Sequence, residues 1–331
     1  MDPWFLVLGG LVLLAVGGEF LVRGAVQLAE RLGVSPLVIG LTLVGFGTSM
    51  PELVASVQAS LAGSPGIAVG NVVGSNLANI LLILGISALM SPIMVGSRAL
   101  KRDGVLVVAT ALLFALVGLT MDLGRVVGVV FVAGLVGYIV YAWRQERVGA
   151  DGHTAAFEKA EAFEGVHTGV HGAGAAAPEA GMRGMLVSIA LVLGGLVLVV
   201  AGGRLLVDGA IELARTLGIS ESVIGLTVVA VGTSMPELVT SVVAAIRRQA
   251  DVALGNILGS NIYNVLGIAG VTGLIAPTAM PPEMVRFDNW VMVGVSVLCL
   301  FFAWTGMRIG RREGGVLLAG YGAYLWVIWP L

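Results

Sequence analysis

One block of this chain is written twice. Residues 33–85 align without a gap on residues 218–270 at a constant offset of 185, and 29 of the 53 positions are identical. The repeated residues are ones that a long apolar stretch ordinarily avoids. Gly47-Thr48-Ser49-Met50-Pro51-Glu52 returns as Gly232-Thr233-Ser234-Met235-Pro236-Glu237. Gly70-Asn71, Gly74-Ser75-Asn76 and Asn79 return as Gly255-Asn256, Gly259-Ser260-Asn261 and Asn264. A carboxylate, a helix-breaking proline and a row of Asn and Ser side chains are each costly among apolar neighbours. Made twice, the pattern points to a two-fold cation site inside a membrane.

The surroundings agree. Of 331 residues, 57% are hydrophobic and only 11% charged, with a mean hydropathy of +1.00. A soluble domain carries roughly a quarter of its residues charged. The 49 glycines suit helices packed closely in lipid. A net charge of −2 gives no footprint for nucleic acid. The single cysteine, Cys299, cannot form an internal disulfide. The N-terminus begins Met1-Asp2-Pro3 without a basic region, so it reads as a first membrane helix and not a signal peptide.

Apolar runs of spanning length fall at about 3–28, 36–61, 67–90, 104–120 and 125–143, and again at about 184–211, 221–246, 252–275, 287–304 and 314–329. The expected fold is an all-α polytopic membrane protein of ten helices, residues 1–143 forming one five-helix repeat and 184–331 the other. Between them, 144–183 is rich in Gly, Ala and Glu and reads as a mobile linker. His167 and His171 there are an i,i+4 pair, but no third ligand accompanies them. With the N-terminus outside, thirteen Lys/Arg fall on the cytoplasmic side against three outside, namely Arg125, Arg215 and Arg286. That bias places both termini outside and the linker in the cytoplasm. Five spans per half is an odd number, so the second repeat enters the membrane upside down and a site near the midplane is expected between the halves.

Within each block, proline frees the carbonyl four residues earlier and kinks its helix, so helices 2 and 7 are expected to break. Freed carbonyls in lipid must be buried in protein or bind something. Beyond the break stand Thr48, Ser49 and Glu52, and Thr233, Ser234 and Glu237. The next helices, 3 and 8, are also expected to be interrupted; they add Ser75 with Asn79 and Ser260 with Asn264, each pair one turn apart on a shared face. Asn71, Asn76, Asn256 and Asn261 can equally serve to stitch the broken helices together. A mid-membrane carboxylate costs roughly 2.5–3.5 kcal/mol on insertion scales. Two in symmetric positions therefore argue for a site. Hard oxygen ligands with two charges and no His or Cys suit Ca²⁺, which takes about 6–8 oxygens, or several Na⁺. Asp103, Asp122, Asp251 and Asp288 sit near helix ends, where water is expected to reach them.

At these motifs the chain resembles the sodium/calcium exchanger family, within the cation/Ca²⁺ antiporter superfamily. The two inverted copies look like that family's paired α-repeats, and the linker is short, as in a compact prokaryotic member. The resemblance implies that Glu52 and Glu237 are the central Ca²⁺ ligands, assisted by Thr48, Ser49, Thr233 and Ser234. It implies that Ser75 and Ser260 bind Na⁺, that Asn79 and Asn264 flank the central site, and that the carbonyls of Gly45 and Ala230 take part. Some relatives carry Asp where this chain has Asn264, which makes a potassium-dependent subtype less natural here. Helices 1 and 6 match the pair that slides to alternate access.

The function so implied is an electrogenic Na⁺/Ca²⁺ antiporter of the inner (plasma) membrane, exporting Ca²⁺ as Na⁺ enters, three Na⁺ per Ca²⁺. The alternative on the same fold is an H⁺/Ca²⁺ antiporter, with the two Glu carrying protons. An intramembrane hydrolase is disfavoured, because no His or Cys nucleophile lies beside either motif. A channel could use the same ligands, but broken helices in inverted repeats favour alternating access. No cofactor is expected beyond the transported Ca²⁺ and Na⁺, and the partners are the ions and the lipid bilayer, with no nucleic acid and no obligate protein partner. The orientation is testable by labelling single cysteines in intact cells on a Cys299→Ala background. Cysteines within 144–183 should be protected from an impermeant reagent, and labelling there would reverse the topology.

Overall fold

The computed structural model describes residues 2–95, 98–148, 153–166, 182–305 and 307–329. Asp2 accepts a hydrogen bond from the Trp4 amide at 3.0 Å and Pro3 occupies the first turn, so helix α1 (Pro3–Arg31) starts with a cap and a preset φ. The second span is two helices, α2 (Leu37–Gly47) and α3 (Met50–Leu61), meeting at 47°. Then come α4 (Pro65–Met90), α5 (Arg98–Thr120) and α6 (Arg125–Val148). A short helix α7 (Ala155–Val166) precedes α8 (Met182–Leu217). The bent pair α9 (Glu221–Thr233) and α10 (Met235–Ile246) meets at 50° and is followed by α11 (Ala250–Ile275). Helices α12 (Met284–Thr305) and α13 (Arg311–Ile328) complete the second repeat. Two short strands, β1 (Ile93–Met94) and β2 (Arg308–Ile309), pair antiparallel with Ile93 opposite Ile309. Among the described residues seven helices are long and apolar enough to cross a membrane, or nine if each bent pair is one span. The tenth expected span is α13, whose first turn carries Arg311, Arg312 and Glu313 and lowers its apolar content.

The breaks in spans 2 and 7 fall where the prolines place them. Ser49 (φ −91°, ψ 12°) and Ser234 (φ −84°, ψ 10°) leave the helical well, and Pro51 and Pro236 sit in the first turns of α3 and α10. Spans 3 and 8 behave differently from the break expected of them. Each runs on as one helix of 26 residues, interrupted by a π-helical stretch at Ala78–Leu84 and Tyr263–Ala269. No proline lies inside either helix to force a bend, and a π turn loosens the ladder without one. Similar stretches occur at Gly40–Val44 and Gly225–Val229. There the Thr42 and Thr227 hydroxyls donate to the carbonyls of Val38 and Val223 at 2.6 Å, which competes with the helical ladder.

Glycines set the packing of the two repeats. A Cβ on Gly10 would lie 2.5 Å from the Leu206 amide, one on Gly17 2.8 Å from that of Val199, and one on Gly24 2.7 Å from the Ser188 carbonyl. Gly195, Gly202 and Gly209 present the reciprocal seam to Leu21, Leu14 and Val7. Contacts that rise along α1 fall along α8, so these equivalent helices are antiparallel and the repeats are inverted. Small residues on both sides let the backbones touch along their length.

The halves are not packed identically. Gly66, Gly70 and Gly74 of α4 form a stripe that receives α9, at Ser222, Gly225, Leu226 and Ala230. The matching stripe on α11, Gly255 and Gly259, does not receive α2. It receives α7, through Ala155, Glu158 and Lys159. On the far side of α7, Ala160 faces Gly40 of α2. A second asymmetry lies at the α1–α8 pair. Gly203 of α8 packs on Val54 of α3, whereas its counterpart Gly18 on α1 has nothing within 4 Å. Gly18 instead lines a cavity of about 450 Å³ with Glu19, Thr48, Phe163 and Thr240.

The expectation of a mobile linker is therefore overturned for 153–166. Ala155, Ala156, Lys159, Ala160, Ala162 and Phe163 are all buried. The run Ala-Ala-Phe-Glu-Lys-Ala-Glu-Ala is composed mainly of strong helix formers, and its alanine face fits a glycine groove. His167 and His171 lie outside the described residues. Among those described, no group of three His, Cys, Asp or Glu side chains could hold a metal. Asp103 and Asp288 are likewise not at wet helix ends. Asp103 is buried and accepts the Ala155 amide at 2.7 Å, and Asp288 is buried against the Tyr324 hydroxyl at 2.8 Å.

The seam between α1 and α8 makes a sharp prediction. Gly17→Val should lower the thermal stability of the detergent-solubilised protein by about 1–3 kcal/mol, the cost of overpacking. Gly9→Val, where a Cβ meets nothing within 4 Å, should change it by less than about 0.5 kcal/mol.

Candidate ion site

The bends of spans 2 and 7 bring the two blocks face to face. Glu52 and Glu237, in the first turns of α3 and α10, are both buried. Across the repeat boundary the Ser234 hydroxyl donates to Glu52 Oε1 at 3.1 Å. By symmetry Ser49 should do the same to Glu237. Instead the Lys159 ammonium stands between them and donates to Ser49 Oγ and Glu237 Oε1, each at 3.3 Å. It also donates to Ser260 Oγ, and lies 5.8 Å from the centroid of the Tyr263 ring. Lys159 is fully buried.

The asparagines divide into two roles. Asn71 donates from Nδ2 to the Glu52 carbonyl and to Ser56 Oγ, both at 2.9 Å, and accepts the Thr233 hydroxyl at 3.0 Å. Asn256 donates to the Glu237 carbonyl at 3.3 Å and to Thr240 and Ser241 at 2.8 Å. Asn261 accepts from Asn79 Nδ2 at 2.9 Å and donates to the Asn76 carbonyl at 3.4 Å. Asn71, Asn256 and Asn261 therefore stitch the helices together. Asn71 holds the first turn of α3 against α4 and Asn256 that of α10 against α11, which fixes where the carboxylates stand, while Asn261 ties α11 to α4.

Other polar atoms are buried with no protein partner. Among them are the second oxygens of both glutamates (Oε2), Ser75 Oγ, Asn79 Oδ1 and both polar atoms of Asn264, all from the two repeated blocks. A buried group without a hydrogen bond is unfavourable by about 1–3 kcal/mol, so this set asks for a ligand. The Thr48 and Thr233 hydroxyls back-bond to the carbonyls of Gly45 and Ala230 at 3.4 and 3.3 Å, and the Ala230 carbonyl also accepts the Ser234 amide at 3.1 Å. Glu52, Ser234, Thr233, Ser49, Glu237 and Ser260 are thus joined, directly or through Asn71 and Lys159. Ser75 and Asn264 are brought into the core without a hydrogen bond from their side chains to the others. Hard oxygens, two carboxylates and no thiolate or imidazole form a donor set for a hard cation.

Lys159 is the residue that sequence reasoning missed. It is one of only two lysines in the chain, the other being Lys101, and it sits in a run of helix formers. Those two signals could have set the segment apart from a Gly-rich tether.

Inverted repeats of broken membrane helices, with buried acidic and hydroxyl side chains where they meet, define a secondary cation transporter and not an enzyme. Residues 3–144 and 187–329 match the family described as sodium/calcium exchanger protein, and the chain belongs to that family. It is 36% identical to the sodium/calcium exchanger MaX1 of Methanosarcina acetivorans, over 98% of each chain. It is 36% identical to the inner membrane protein YrbG of Escherichia coli, over 97% of this chain and 94% of that one. Its fold is similar to the solved structure of the sodium-calcium exchanger NCX_Mj, with a TM-score of 0.61, 32% identity and 99% coverage of both chains.

Proposed function

We propose that this chain is a Na⁺/Ca²⁺ antiporter of the inner (plasma) membrane that exports Ca²⁺ as Na⁺ enters, by alternating access. One observation carries the reading. Glu52 and Glu237 approach from inverted halves, and each keeps a buried oxygen with no protein partner. Glu52, Glu237, Thr48, Ser49, Thr233 and Ser234 form the shared centre, with the Gly45 and Ala230 carbonyls. Ser75, Ser260, Asn79 and Asn264 flank it. The names of MaX1 and NCX_Mj support the pair of ions, and that of YrbG supports the membrane.

Two fixed carboxylates are compensated by one Ca²⁺ or by Na⁺ ions, but not left bare at the midplane. Movement with an uncompensated site is unfavourable, and that penalty makes exchange obligatory. Three Na⁺ for one Ca²⁺ moves one net charge, so transport is electrogenic. The smooth seam of α1 and α8 suits a pair that slides across the rest. Its unequal seating, tight against α3 and open at α10, fits one of two alternating positions. Both termini lie outside and 144–183 joins the repeats on the cytoplasmic side, with α7 packed inward from there.

Reconstituted vesicles with Na⁺, K⁺ and H⁺ gradients imposed separately test the coupling. Only an opposing Na⁺ gradient should drive Ca²⁺ uptake, and Glu52→Gln or Glu237→Gln should reduce it to background in folded protein. Uptake driven by a pH gradient without Na⁺ would install the proton-coupled alternative. Ser75→Ala and Ser260→Ala should raise the half-saturation for Na⁺ more than that for Ca²⁺. Equal weakening of both ions would show that these hydroxyls do not belong to Na⁺ alone.

A further inference from the structure

The most unexpected feature of the molecule is where α7 lies. The groove between α2 and α11 is the symmetry mate of the groove in which α4 receives α9. Its glycines, Gly255 and Gly259, leave room for a helix to approach closely. Yet α2 does not fill it. Residues 155–166 do, and they carry a lysine into the ion site.

We infer that this groove is a binding site for the chain's own linker helix, and that Lys159 is a tethered cation occupying part of the Ca²⁺ and Na⁺ site. The geometry gives the ammonium three oxygen partners, Ser49, Glu237 and Ser260. All three belong to the oxygen set offered to the transported ions, so the inference rests on that assignment. A lysine cannot leave with the substrate. It neutralises one carboxylate while α7 keeps α2 off Gly255 and Gly259, so that α2 meets α11 further along, where the Tyr263 hydroxyl donates to the Leu41 carbonyl at 2.6 Å. Bound this way, the carrier is autoinhibited.

The helix is held at its start as well as at its lysine. Its first amides are taken by acceptors on α5 and α6: Ala155 N by Asp103 at 2.7 Å, and Ala156 N by the Tyr138 hydroxyl at 3.2 Å. Thr154 N, just ahead of the helix, is taken by Glu146 at 2.7 Å. Two of these anchors, Asp103 and Glu146, stand near the first residue of α5 and the last of α6, the cytoplasmic ends in the proposed topology. The helix therefore enters from the cytoplasmic side. Cytoplasmic Ca²⁺ must displace the ammonium to bind, so exchange turns on as that concentration rises. The linkage is reciprocal: whatever holds α7 in place weakens Ca²⁺, and Ca²⁺ loosens α7 by the same factor.

The test uses the purified full-length protein and Ca²⁺ itself. Lys159→Gln keeps a similar length and a donor but loses the charge. It should tighten Ca²⁺ binding by about tenfold, within the usual range of coupling between two sites, and lower the half-saturation of Na⁺-driven flux in parallel. Unchanged Ca²⁺ affinity would overturn the inference. A second arm does not depend on the lysine. A Cβ on Gly40 would lie 3.3 Å from that of Ala160, close to disulfide range. Gly40→Cys with Ala160→Cys, on Cys299→Ala, should cross-link under oxidant, abolish Ca²⁺ binding, and recover it on reduction. Prior Ca²⁺ should suppress the cross-link. No cross-link in ion-free protein, or a cross-linked protein that binds Ca²⁺ as well as before, would overturn the docked helix. If the cross-link forms but neither the wild type nor Lys159→Gln binds Ca²⁺, the exchange reading fails while the docking stands.

Discussion

Two carboxylates held inside a membrane, with too few protein charges to neutralise them, are the constraint on which the rest of this molecule depends. Each keeps one buried oxygen that no protein group satisfies. Ser234 donates to only one oxygen of Glu52, and Lys159 to only one of Glu237. Backbone breaks at Ser49 and Ser234 place carbonyls and hydroxyls beside them. The asparagines of α4 and α11 do not compete for the carboxylates. Asn71 and Asn256 bond instead to the carbonyls and hydroxyls around them, so orientation is fixed without the charge being quenched.

Glycine gives this charged centre a scaffold that can move. Where α1 meets α8, the absent side chains produce a seam with nothing to interlock, and the backbones lie close over its whole length. Where α4 meets α9, glycine brings the half-helix bearing Ala230 against the helix bearing Ser75. One residue type therefore serves two ends: a seam without interlocking side chains, and a close approach that brings polar groups of separate helices together.

Inverted duplication predicts a symmetric object, and the departures from symmetry are informative. Ser234 reaches Glu52 directly, while Ser49 reaches Glu237 only through Lys159. Thr233 reaches Asn71, while Thr48 is bonded only to its own helix. The glycine stripe of α4 holds a half-helix of the repeat, while that of α11 holds α7. These differences fall on the face where α2 would otherwise close. The inserted α7 accounts for the first and the last, because Lys159 stands between Ser49 and Glu237 and Ala155 and Glu158 occupy the glycine stripe.

Much of this was legible in the residues alone. An exact offset between two blocks, prolines at matching places and an odd number of spans per half are one-dimensional facts with three-dimensional consequences. They were enough for inverted repeats, for bends at Ser49 and Ser234, and for the carboxylates and hydroxyls around them. The form of the interruption in α4 and α11 was not legible, because π turns arise from local competition for carbonyls and leave no proline behind. Nor was the division of labour among the asparagines, since an amide has the same composition whether it faces an ion or a backbone carbonyl. Least legible was α7. Its sequence favours a helix, but a solvent-exposed helix and a buried one can share that preference. Only tertiary structure shows an alanine face seated on Gly255 and Gly259 and an ammonium placed between Ser49 and Glu237. A long-range contact of that kind depends on the shape of a groove made by distant residues, and no local pattern in 144–183 encodes that shape.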